Sequence, residues 1–264
     1  MDSLLHILPR EKRGRIQRQV KPIELLDRLF WPVKITVFPS RCPLCGQLLE
    51  KPGDKIVCSQ CLSQIEIHHG PVCEICGRFL YHQSGEKAIC LKCYESPPVF
   101  SQHRSLGPYA GALKEIIILF KYRGYEVLSK TLSLTLYNNF QKGNLFSGID
   151  FIVPIPLHRQ KYKTRGFNQA ELLTKNLSIL SGRPWLKNIL VKIKNTPAQV
   201  SLEAQEREKN LKGAFAIRKP EKIEGQTLLL VDDVFTTGST INECARILRQ
   251  NGAREVRALT IAQA

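Results

Sequence analysis

The sequence has 264 residues, of which 43% are apolar and 8% aromatic, so it can bury a sizeable core and is not a globally disordered chain. Its formal net charge of +16 fits either solvated loops and helix faces or a polyanionic partner, which would be a phosphorylated small molecule or a nucleic acid. No run of about 18 uncharged apolar residues is present, and the N-terminal apolar patch precedes its charges, so we expect a cytoplasmic protein with no membrane insertion.

The basic residues are unevenly distributed along the chain. Residues 1–40 carry 8 Lys or Arg against 4 Asp or Glu. Within them, residues 24–31 have helical apolar spacing that stops at Pro32, which predicts a basic segment with a short amphipathic helix. Residues 41–100 carry six charges of each sign, whereas residues 101–264 carry 25 basic and 13 acidic side chains. Most of the excess charge therefore belongs to the C-terminal part.

Eight of the nine cysteines form four Cys-x-x-Cys pairs, which are Cys42/Cys45, Cys58/Cys61, Cys73/Cys76 and Cys90/Cys93. Two thiolates on one tight turn can reach one metal ion, and a second such turn completes a tetrahedral shell. A disulfide framework does not suit a protein that we expect inside the cell, and iron–sulfur ligation suits four evenly repeated pairs less well. We predict a double zinc ribbon over residues 41–96 with two structural zinc ions.

The pairing of these cysteines is not fixed by their spacing. We prefer a sequential arrangement, in which the first two pairs hold one ion and the last two hold the other, but a cross-braced arrangement stays open. Gly46 and Gly77 follow two of the pairs and suit the bend of a zinc knuckle. Three histidines are less favoured substitutes for a cysteine ligand: His68, His69 and His82. The ninth cysteine, Cys244, is predicted to be a small core residue.

Strands alternate with helices in the C-terminal part, beyond a predicted domain boundary in the Pro- and Gly-rich stretch 95–108. The predicted helices cover residues 109–122, 127–140, 167–180 and 239–251. The predicted strands cover residues 149–156, 226–233 and 255–262. Apolar strands separated by helices are typical of a parallel sheet that is covered on both faces. We therefore predict one α/β domain over residues 105–264.

The segment LLLVDDVFTTGST (228–240) carries the clearest chemistry. An apolar strand delivers Asp232 and Asp233 at its carboxyl end, where open α/β sheets bind ligands. A loop of small residues then opens a helix, and its N–H groups can hold a phosphate. The loop residues are Thr236, Thr237, Gly238, Ser239 and Thr240. The pattern indicates a ribose 5-phosphate site near Mg²⁺, and the alternative is that these residues only cap a turn and a helix.

This segment resembles the signature by which type I phosphoribosyltransferases bind 5-phosphoribosyl-1-pyrophosphate (PRPP). Further segments are similar to the ComF family, competence-associated proteins that join a zinc module to a phosphoribosyltransferase-like domain. They are FKYRG (120–124), VPIPLHRQKYKTRGFNQAELL (153–173), NTPAQVSLEAQERE (195–208) and NLKGAF (210–215). The resemblance covers the chain from about residue 25 to its end, with the motifs in the same order.

The resemblance implies a role for each motif. Asp232 and Asp233 would hold the ribose hydroxyls, the loop 236–240 would hold the 5-phosphate, and Mg²⁺ would accompany PRPP. The segment after VPIP would be a pyrophosphate loop, and four cations there suit a polyphosphate. These cations are Arg159, Lys161, Lys163 and Arg165. Tyr122 and Arg123 are candidates for an acceptor or nucleic-acid groove, or else an ordinary helix end.

Two classes of function follow. A ComF-like protein would bind PRPP and assist the handling of incoming single-stranded DNA on the cytoplasmic side. A less favoured version of a binding role is a purely structural interaction protein whose zinc module docks to a competence helicase. Alternatively, it would be an active phosphoribosyltransferase of nucleotide salvage that acts on an unidentified nucleobase or amine. The retained acidic pair favours PRPP binding in both cases, while the surplus of cations favours an additional polyanion.

Overall fold

A computed structural model describes residues 40–49, 56–80, 88–122, 124–195 and 211–264. Most of the predicted basic segment 1–40, its helix at 24–31 and most of the motif 195–208 lie outside these residues. The unit Arg41–Ala264 is compact and holds both the cysteine-rich part and the α/β part. Within the described ranges, no helix combines the length and the apolar character that a membrane crossing requires.

The described part of the chain has the following secondary structure. The strands are β1 (Gln102–Pro108), β2 (Phe151–Pro154), β3 (Leu190–Lys192), β4 (Phe215–Ile217), β5 (Thr227–Phe235) and β6 (Glu255–Gln263). The helices are α1 (Ser59–Ser63), α2 (Leu91–Glu95), α3 (Gly111–Tyr122), α4 (Leu128–Phe140), α5 (Arg159–Arg165), α6 (Gln169–Ser181) and α7 (Ser239–Gln250). A 3₁₀ turn covers Pro220–Lys222.

The central sheet has four parallel strands in the order β1-β6-β5-β2. Strand β5 lies inside it, and residues 228–231 of that strand are fully buried, as expected for a parallel strand covered on both faces. The other two described strands, β3 and β4, form a separate antiparallel pair. The predicted parallel α/β sheet is confirmed.

Helices cover the sheet on both faces and divide the interior into two cores. Helices α3, α4 and α6 pack with Leu229, Val231 and Leu259 in one core. Helix α7 and the β3–β4 pair contribute to the other core, together with Leu228 and Leu230. Alternate residues of β5 thus enter opposite cores, which is the period-two pattern of a strand.

Local sequence explains where the predicted elements begin and end. The side chain of Asn168 accepts a hydrogen bond from the Ala170 N–H at 3.1 Å and caps α6, and Gly182 closes that helix with a φ of 67°. All seven predicted helices and strands are present with ends within two residues of those expected. Cys244 is fully buried in α7, as predicted.

Two segments differ from their expected structure. Strand β1 lies within the stretch 95–108, which we expected to be a domain boundary, so the sheet begins before residue 105. The expected pyrophosphate loop is the helix α5, capped by the side chain of His158 and closed by Gly166 at a φ of 82°. Both elements consist mostly of polar residues, so they lack the apolar periodicity by which strands and helices are predicted.

The cysteine-rich part covers the free edge of β1. The His103 N–H donates to the Ile75 carbonyl oxygen at 2.7 Å, and the His68 N–H donates to that of Leu106 at 2.8 Å. Gly107 has no side chain where the chain passes close by, and a Cβ there would collide with the Glu66 carbonyl oxygen. The zinc module therefore supplies the hydrogen bonds that an edge strand otherwise leaves open.

Candidate functional site

The candidate site lies where β2 and β5 end side by side. The two strands are parallel neighbours, with Pro154 opposite Val231, and the Ile155 N–H still donates to the Val231 carbonyl oxygen at 2.9 Å. Helix α5 follows β2, and the loop 236–240 follows β5. The topology thus brings the cations of α5 and the predicted phosphate loop to the same edge of the sheet.

Asp233 forms an ion pair with a lysine that the sequence analysis did not single out. Lys121 Nζ lies 2.8 Å from Asp233 Oδ1, and the side chains are only 15% and 12% exposed. Burial alone would lower the pKa of Lys121, but the attraction of Asp233 outweighs it and raises that pKa. Lys121 lies within the FKYRG motif, which was a usable signal for it.

Asp232 has a different environment from its neighbour. Burial raises its pKa to about 7, and the nearby charge of Asp233 adds to this rise. The Asp233 N–H donates to Asp232 Oδ1 at 2.8 Å, and the charges of Lys121 and Lys192 also act against the rise. The pair therefore combines one carboxyl group held by a lysine with one whose pKa lies close to neutral pH.

The loop 236–240 connects β5 to α7 through a glycine that requires its special conformation. Gly238 has a φ of 82°, and a Cβ there would lie 2.5 Å from Cζ of Phe235. Thr237 Oγ1 and Ser239 Oγ lie 2.8 Å apart and hydrogen-bond across the glycine. The following helix α7 has 12 residues, so its first N–H groups and its dipole point towards this loop. Thr236 and Thr240 lie at the two ends of the loop, exposed and half-buried respectively.

Helix α5 presents its four cations in two pairs. Lys161 and Arg165 are half-buried, and burial together with the charges of Arg165 and Lys121 lowers the pKa of Lys161. Arg159 and Lys163 are exposed. Residues four apart share one side of a helix, so each pair has its own side. Lys161, with Arg165 beside it, lies near Lys121, the partner of Asp233, whereas Arg159 and Lys163 are in solvent.

Arg165 is held in place at the site by two neighbours. Its guanidinium carbon lies 4.9 Å from the centre of the Tyr122 ring, and one of its nitrogens donates to Gln169 Oε1 at 3.1 Å. Tyr122 is 65% exposed and offers its outer ring surface to solvent. Arg123 lies outside the described residues.

Lys192 is a second lysine that the sequence analysis missed. It lies on β3, with Nζ 5.3 Å from the centre of the Phe215 ring on β4. Burial and the charge of Lys161 lower its pKa, and the charge of Asp232 acts in the opposite direction. A single lysine in a short strand gives no sequence signal, because only the fold brings it near the acidic pair.

The eight paired cysteines form two clusters, and the pairing is sequential. Within each cluster the ligand atoms all lie within 4.8 Å of one another. The first cluster consists of Cys42, Cys45, Cys58 and Cys61. The second cluster consists of Cys73, Cys76, Cys90 and Cys93. The all-cysteine set and the sequential pairing are those that the sequence analysis preferred.

The sulfur positions fit a tetrahedral zinc ion. Four thiolates about 2.3 Å from one ion lie about 3.8 Å apart. The Cys42–Cys61 and Cys45–Cys58 sulfur pairs are separated by 3.9 and 3.6 Å, and the Cys76–Cys90 pair by 3.6 Å. Gly46 and Gly77 have φ values of 74° and 67°, as expected for the knuckle bends. The two clusters therefore fit two structural zinc ions, with no protein ligand position left open.

Two family models match separate parts of the chain. Residues 34–96 match the model of the double zinc ribbon domain, and residues 173–264 match that of the phosphoribosyl transferase domain. Among solved structures, adenine phosphoribosyltransferase from Saccharomyces cerevisiae covers 53% of this chain and 68% of its own. The two chains are 18% identical, with a TM-score of 0.32.

Curated relatives match most of the chain. Competence protein F of Haemophilus influenzae is 33% identical over 233 residues, which cover 86% of this chain and 98% of the relative. DNA utilization protein YhgH of Escherichia coli K12 is 31% identical over 79% of this chain and 96% of its own length. Competence protein ComFC of Bacillus subtilis is 30% identical over 77% of this chain and 82% of its own.

Proposed function

Because the chain belongs to the competence protein F (ComF) family, we propose that it is a PRPP-binding protein of natural competence that assists the uptake or handling of single-stranded DNA on the cytoplasmic side. The names of its relatives, competence protein and DNA utilization protein, support the competence role. The match to the phosphoribosyl transferase domain and the chemistry of the sheet edge support the PRPP ligand.

One observation carries the PRPP proposal: a single sheet edge combines an acidic pair, a small-residue loop and a group of cations. In this proposal Asp232 and Asp233 accept hydrogen bonds from the two ribose hydroxyls. The N–H groups and hydroxyls of the loop 236–240 donate to the 5-phosphate, where the start of α7 favours a negative charge. The close approach at Gly238 keeps the loop backbone free of a side chain.

The pyrophosphate of the ligand would be bound by the inward pair of α5. Lys161 and Arg165 lie on the side of the helix that faces Lys121. Arg165 and Lys121 repel the positive charge of Lys161. A bound polyanion would relieve this repulsion, because it supplies negative charge between the three cations. Arg165 suits this role because its guanidinium is already oriented by Tyr122 and Gln169.

Mg²⁺ bound with PRPP is part of this proposal. Mg²⁺ prefers oxygen ligands and is commonly held by one or two carboxylates together with substrate phosphates. Asp232 fits such a site better than Asp233, whose Oδ1 is 2.8 Å from Lys121 Nζ. When bound, the ion would neutralise charge on the pyrophosphate oxygens. Asp232 would orient it, and the ion pair with Lys121 would hold Asp233 in position for the ribose.

Calorimetric titration with PRPP and Mg²⁺ tests the ligand assignment. Asp233→Asn should lower the affinity at least about tenfold, because it removes a charged acceptor and leaves Lys121 unpaired. Glu221→Gln is the matched control, since Glu221 is exposed before the amino end of β5 and should leave the affinity unchanged. Equal affinities of Asp233→Asn and the wild type would refute the assignment.

Single-stranded DNA is the second ligand of this proposal, and the outer side of α5 supports it. Arg159 and Lys163 are exposed and point away from the acidic pair, so one bound pyrophosphate does not use them. Cations in solvent suit the phosphates of a single strand, and the exposed ring of Tyr122, which lies against Arg165, can stack on its bases. In this role the protein would work beside a competence helicase, with the zinc module as the docking part.

Catalysis is the alternative function, and the pKa of Asp232 favours it. In a phosphoribosyl transfer, the bond from ribose C1 to pyrophosphate breaks, a bond from C1 to an acceptor nitrogen forms, and the acceptor loses a proton. A carboxyl group with a pKa of about 7 is suited to accept that proton near neutral pH. Release of pyrophosphate from PRPP that depends on an added nucleobase or amine would support this alternative. If none of the added nucleobases or amines causes pyrophosphate release, the result contradicts it.

A further inference from the structure

His103 joins the second cysteine cluster to the central sheet. Its ring is fully buried, with Nδ1 2.8 Å from the Cys76 carbonyl oxygen and Nε2 2.9 Å from Thr260 Oγ1. A carbonyl oxygen only accepts, so Nδ1 carries the proton and Nε2 accepts from the threonine hydroxyl. Each ring nitrogen of this buried side chain has a hydrogen-bond partner, which fixes the orientation of the ring. His103 is therefore a fixed connection between the zinc knuckle at Cys76 and strand β6.

The same ring supports the last residue of β5. The rings of His103 and Phe235 are stacked, with centroids 4.0 Å apart and planes 20° apart. Phe100 meets Phe235 edge-on at 6.2 Å and packs in the same core as the four cysteines of the second cluster. The end of β5 is thus packed between the zinc module and the sheet.

Phe235 in turn lies directly under the loop 236–240. Three atoms of its ring occupy the space that a side chain at Gly238 would need. Interiors are close-packed, so a shift of the Phe235 ring changes the position of the Gly238 backbone. A continuous chain of contacts therefore runs from Cys76 through His103 and Phe235 to the loop.

Two further contacts connect the second zinc ribbon to the loop and to α7. Lys92, which lies between two of the cysteine ligands, donates to the Thr237 carbonyl oxygen at 3.4 Å. The Val99 N–H donates to Asn242 Oδ1 at 2.7 Å, in the first turn of α7. The first cluster belongs to the opposite core, with α3 and α4. The two clusters therefore differ in their relation to the loop.

We propose that the second cysteine cluster, with its zinc ion, holds the loop 236–240 in its ligand-binding conformation, and that His103 is the positioning residue that connects them. This inference rests on the proposed function, because it takes the loop to be the site of the 5-phosphate. Coupling between two sites is reciprocal. A ligand bound to the loop therefore raises the affinity of the second cluster for zinc, and loss of that zinc lowers the affinity of the loop for the ligand.

The test measures zinc loss from the full-length, zinc-loaded protein with and without saturating ribose 5-phosphate. A chelator removes the metal, and alkylation of the freed cysteines followed by mass spectrometry identifies the cluster that has opened. At equilibrium with the chelator, we expect ribose 5-phosphate to raise the apparent zinc affinity of the second cluster at least about fivefold. The first cluster should change much less. Equal protection of both clusters would mean only general stabilisation and would overturn the proposal.

Variants of His103 separate positioning from folding. His103→Leu should weaken the binding of ribose 5-phosphate at least about fivefold and abolish the selective protection. His103→Asn keeps an N–H donor towards the Cys76 carbonyl oxygen and should recover part of both effects. The control is His69→Leu, an exposed histidine of the same module. Unchanged affinity in a zinc-loaded His103→Leu protein would overturn the proposal.

The remaining outcomes are also decisive. If His103→Leu loses its zinc, Phe235→Leu takes its place, since it keeps every cysteine and His103. Phe235→Leu must lower the affinity for ribose 5-phosphate and remove the selective protection of the second cluster. If both stay unchanged, the proposal is overturned. If wild-type protein binds neither ribose 5-phosphate nor PRPP, the proposed function itself fails. Binding that the variants leave intact would overturn the proposed role of the second cluster and of His103, and would leave the proposed PRPP binding standing.

Discussion

Asp232 and Asp233 are adjacent in the chain, yet their side chains have different electrostatic environments. Asp233 is paired with Lys121 at 2.8 Å, whereas burial raises the pKa of Asp232 to about 7. The sequence predicted both as ligand residues, but their difference depends on α3 and β3, which bring Lys121 and Lys192 to the same place. A division of roles within one acidic pair could not have been predicted from the segment 228–240 alone.

The raised pKa of Asp232 predicts a pH dependence of ligand binding. The ordinary pKa of an aspartate is 3.8 and that of Asp232 is about 7, so the native state keeps a proton that the unfolded chain has released. This group therefore lowers stability as the pH rises between those values. A ligand whose hydroxyls or Mg²⁺ need the ionised carboxylate binds more tightly as the pH rises through 7.

Calorimetry with PRPP and Mg²⁺ between pH 6 and pH 8, in buffers of different ionisation enthalpy, measures this effect. We expect the affinity to increase with pH and binding to release up to about one proton from Asp232. In Asp232→Asn, the pH dependence that comes from the ligand's own titration should stay, and the part that comes from proton release by Asp232 should disappear. The same pH slope in both proteins would contradict the assignment.

Gly238 and Gly148 predict a matched pair of substitutions. Both have positive φ values, 82° and 68°, so alanine strains the backbone by about 1–2 kcal/mol at each. Only at Gly238 does the new Cβ meet another group, the Phe235 ring, at 2.5 Å, which adds roughly 1–3 kcal/mol. Urea unfolding should show a larger loss for Gly238→Ala than for Gly148→Ala, and calorimetry should show weaker PRPP binding only for the former. Equal losses would mean that the ring moves freely.

At the scale of elements, apolar strands and capped helices were predictable, and polar elements were not. Strand β5 shows its identity through an unbroken apolar run, and α6 through Asn168 and Gly182. Strand β1 has the polar sequence QHRSLGP, yet His103 and Ser105 are buried in it. The hydrogen-bond partners of His103 are Cys76 and Thr260, which come from distant parts of the chain, so no local pattern reveals them.

Helix α5 predicts that two polyanions are bound by separate sides of one element. The dependence of single-stranded DNA binding on salt is the slope of log K against log salt concentration. Removing Arg159 and Lys163 should reduce the magnitude of this slope by about 1.4, at about 0.7 per phosphate contact, and leave PRPP affinity unchanged. Removing Lys161 and Arg165 should instead weaken PRPP binding. Each double change to glutamine serves as the control for the other. Salt titrations monitored by fluorescence anisotropy, with parallel calorimetry, measure both, and equal effects of the two pairs on both ligands would contradict the division.

At the scale of the whole molecule, the zinc module is an integral part of the α/β domain's sheet. It covers the edge of β1 through the backbone of His103 and Leu106, and each of its clusters packs into a different core. The doubled cysteine pattern made the module itself predictable. Its position could not be predicted, because the contacts with β1 are backbone hydrogen bonds and a close approach at Gly107.

Metal removal should therefore affect the whole protein. Stripping both zinc ions should lower the melting temperature by at least about 10 °C, because the metal supplies folding energy to the module and the module covers the sheet edge. It should also promote aggregation through the uncovered strand. Differential scanning calorimetry with light scattering measures both effects. Recovery with added Zn²⁺ but not Mg²⁺ is the control, and an unchanged melting temperature would contradict this account.

The distribution of charge can now be assigned to parts of the molecule. The zinc module is neutral over residues 41–100, and the excess of 25 basic over 13 acidic residues lies in residues 101–264. Part of that excess is near the acidic pair, where Lys121 and Lys192 act on Asp232 and Lys161 lies near both lysines, and part of it is exposed on α5. The same net charge thus serves a buried site and an open surface.

A crystal structure of the protein with PRPP and Mg²⁺ tests the central claim most directly. We predict the ribose hydroxyls within hydrogen-bond distance of Asp232 and Asp233, the 5-phosphate on the N–H groups of the loop 236–240, and the pyrophosphate beside Lys161 and Arg165. Ligand density at any other place, or a loop 236–240 that makes no contact with the phosphate, would contradict the claim.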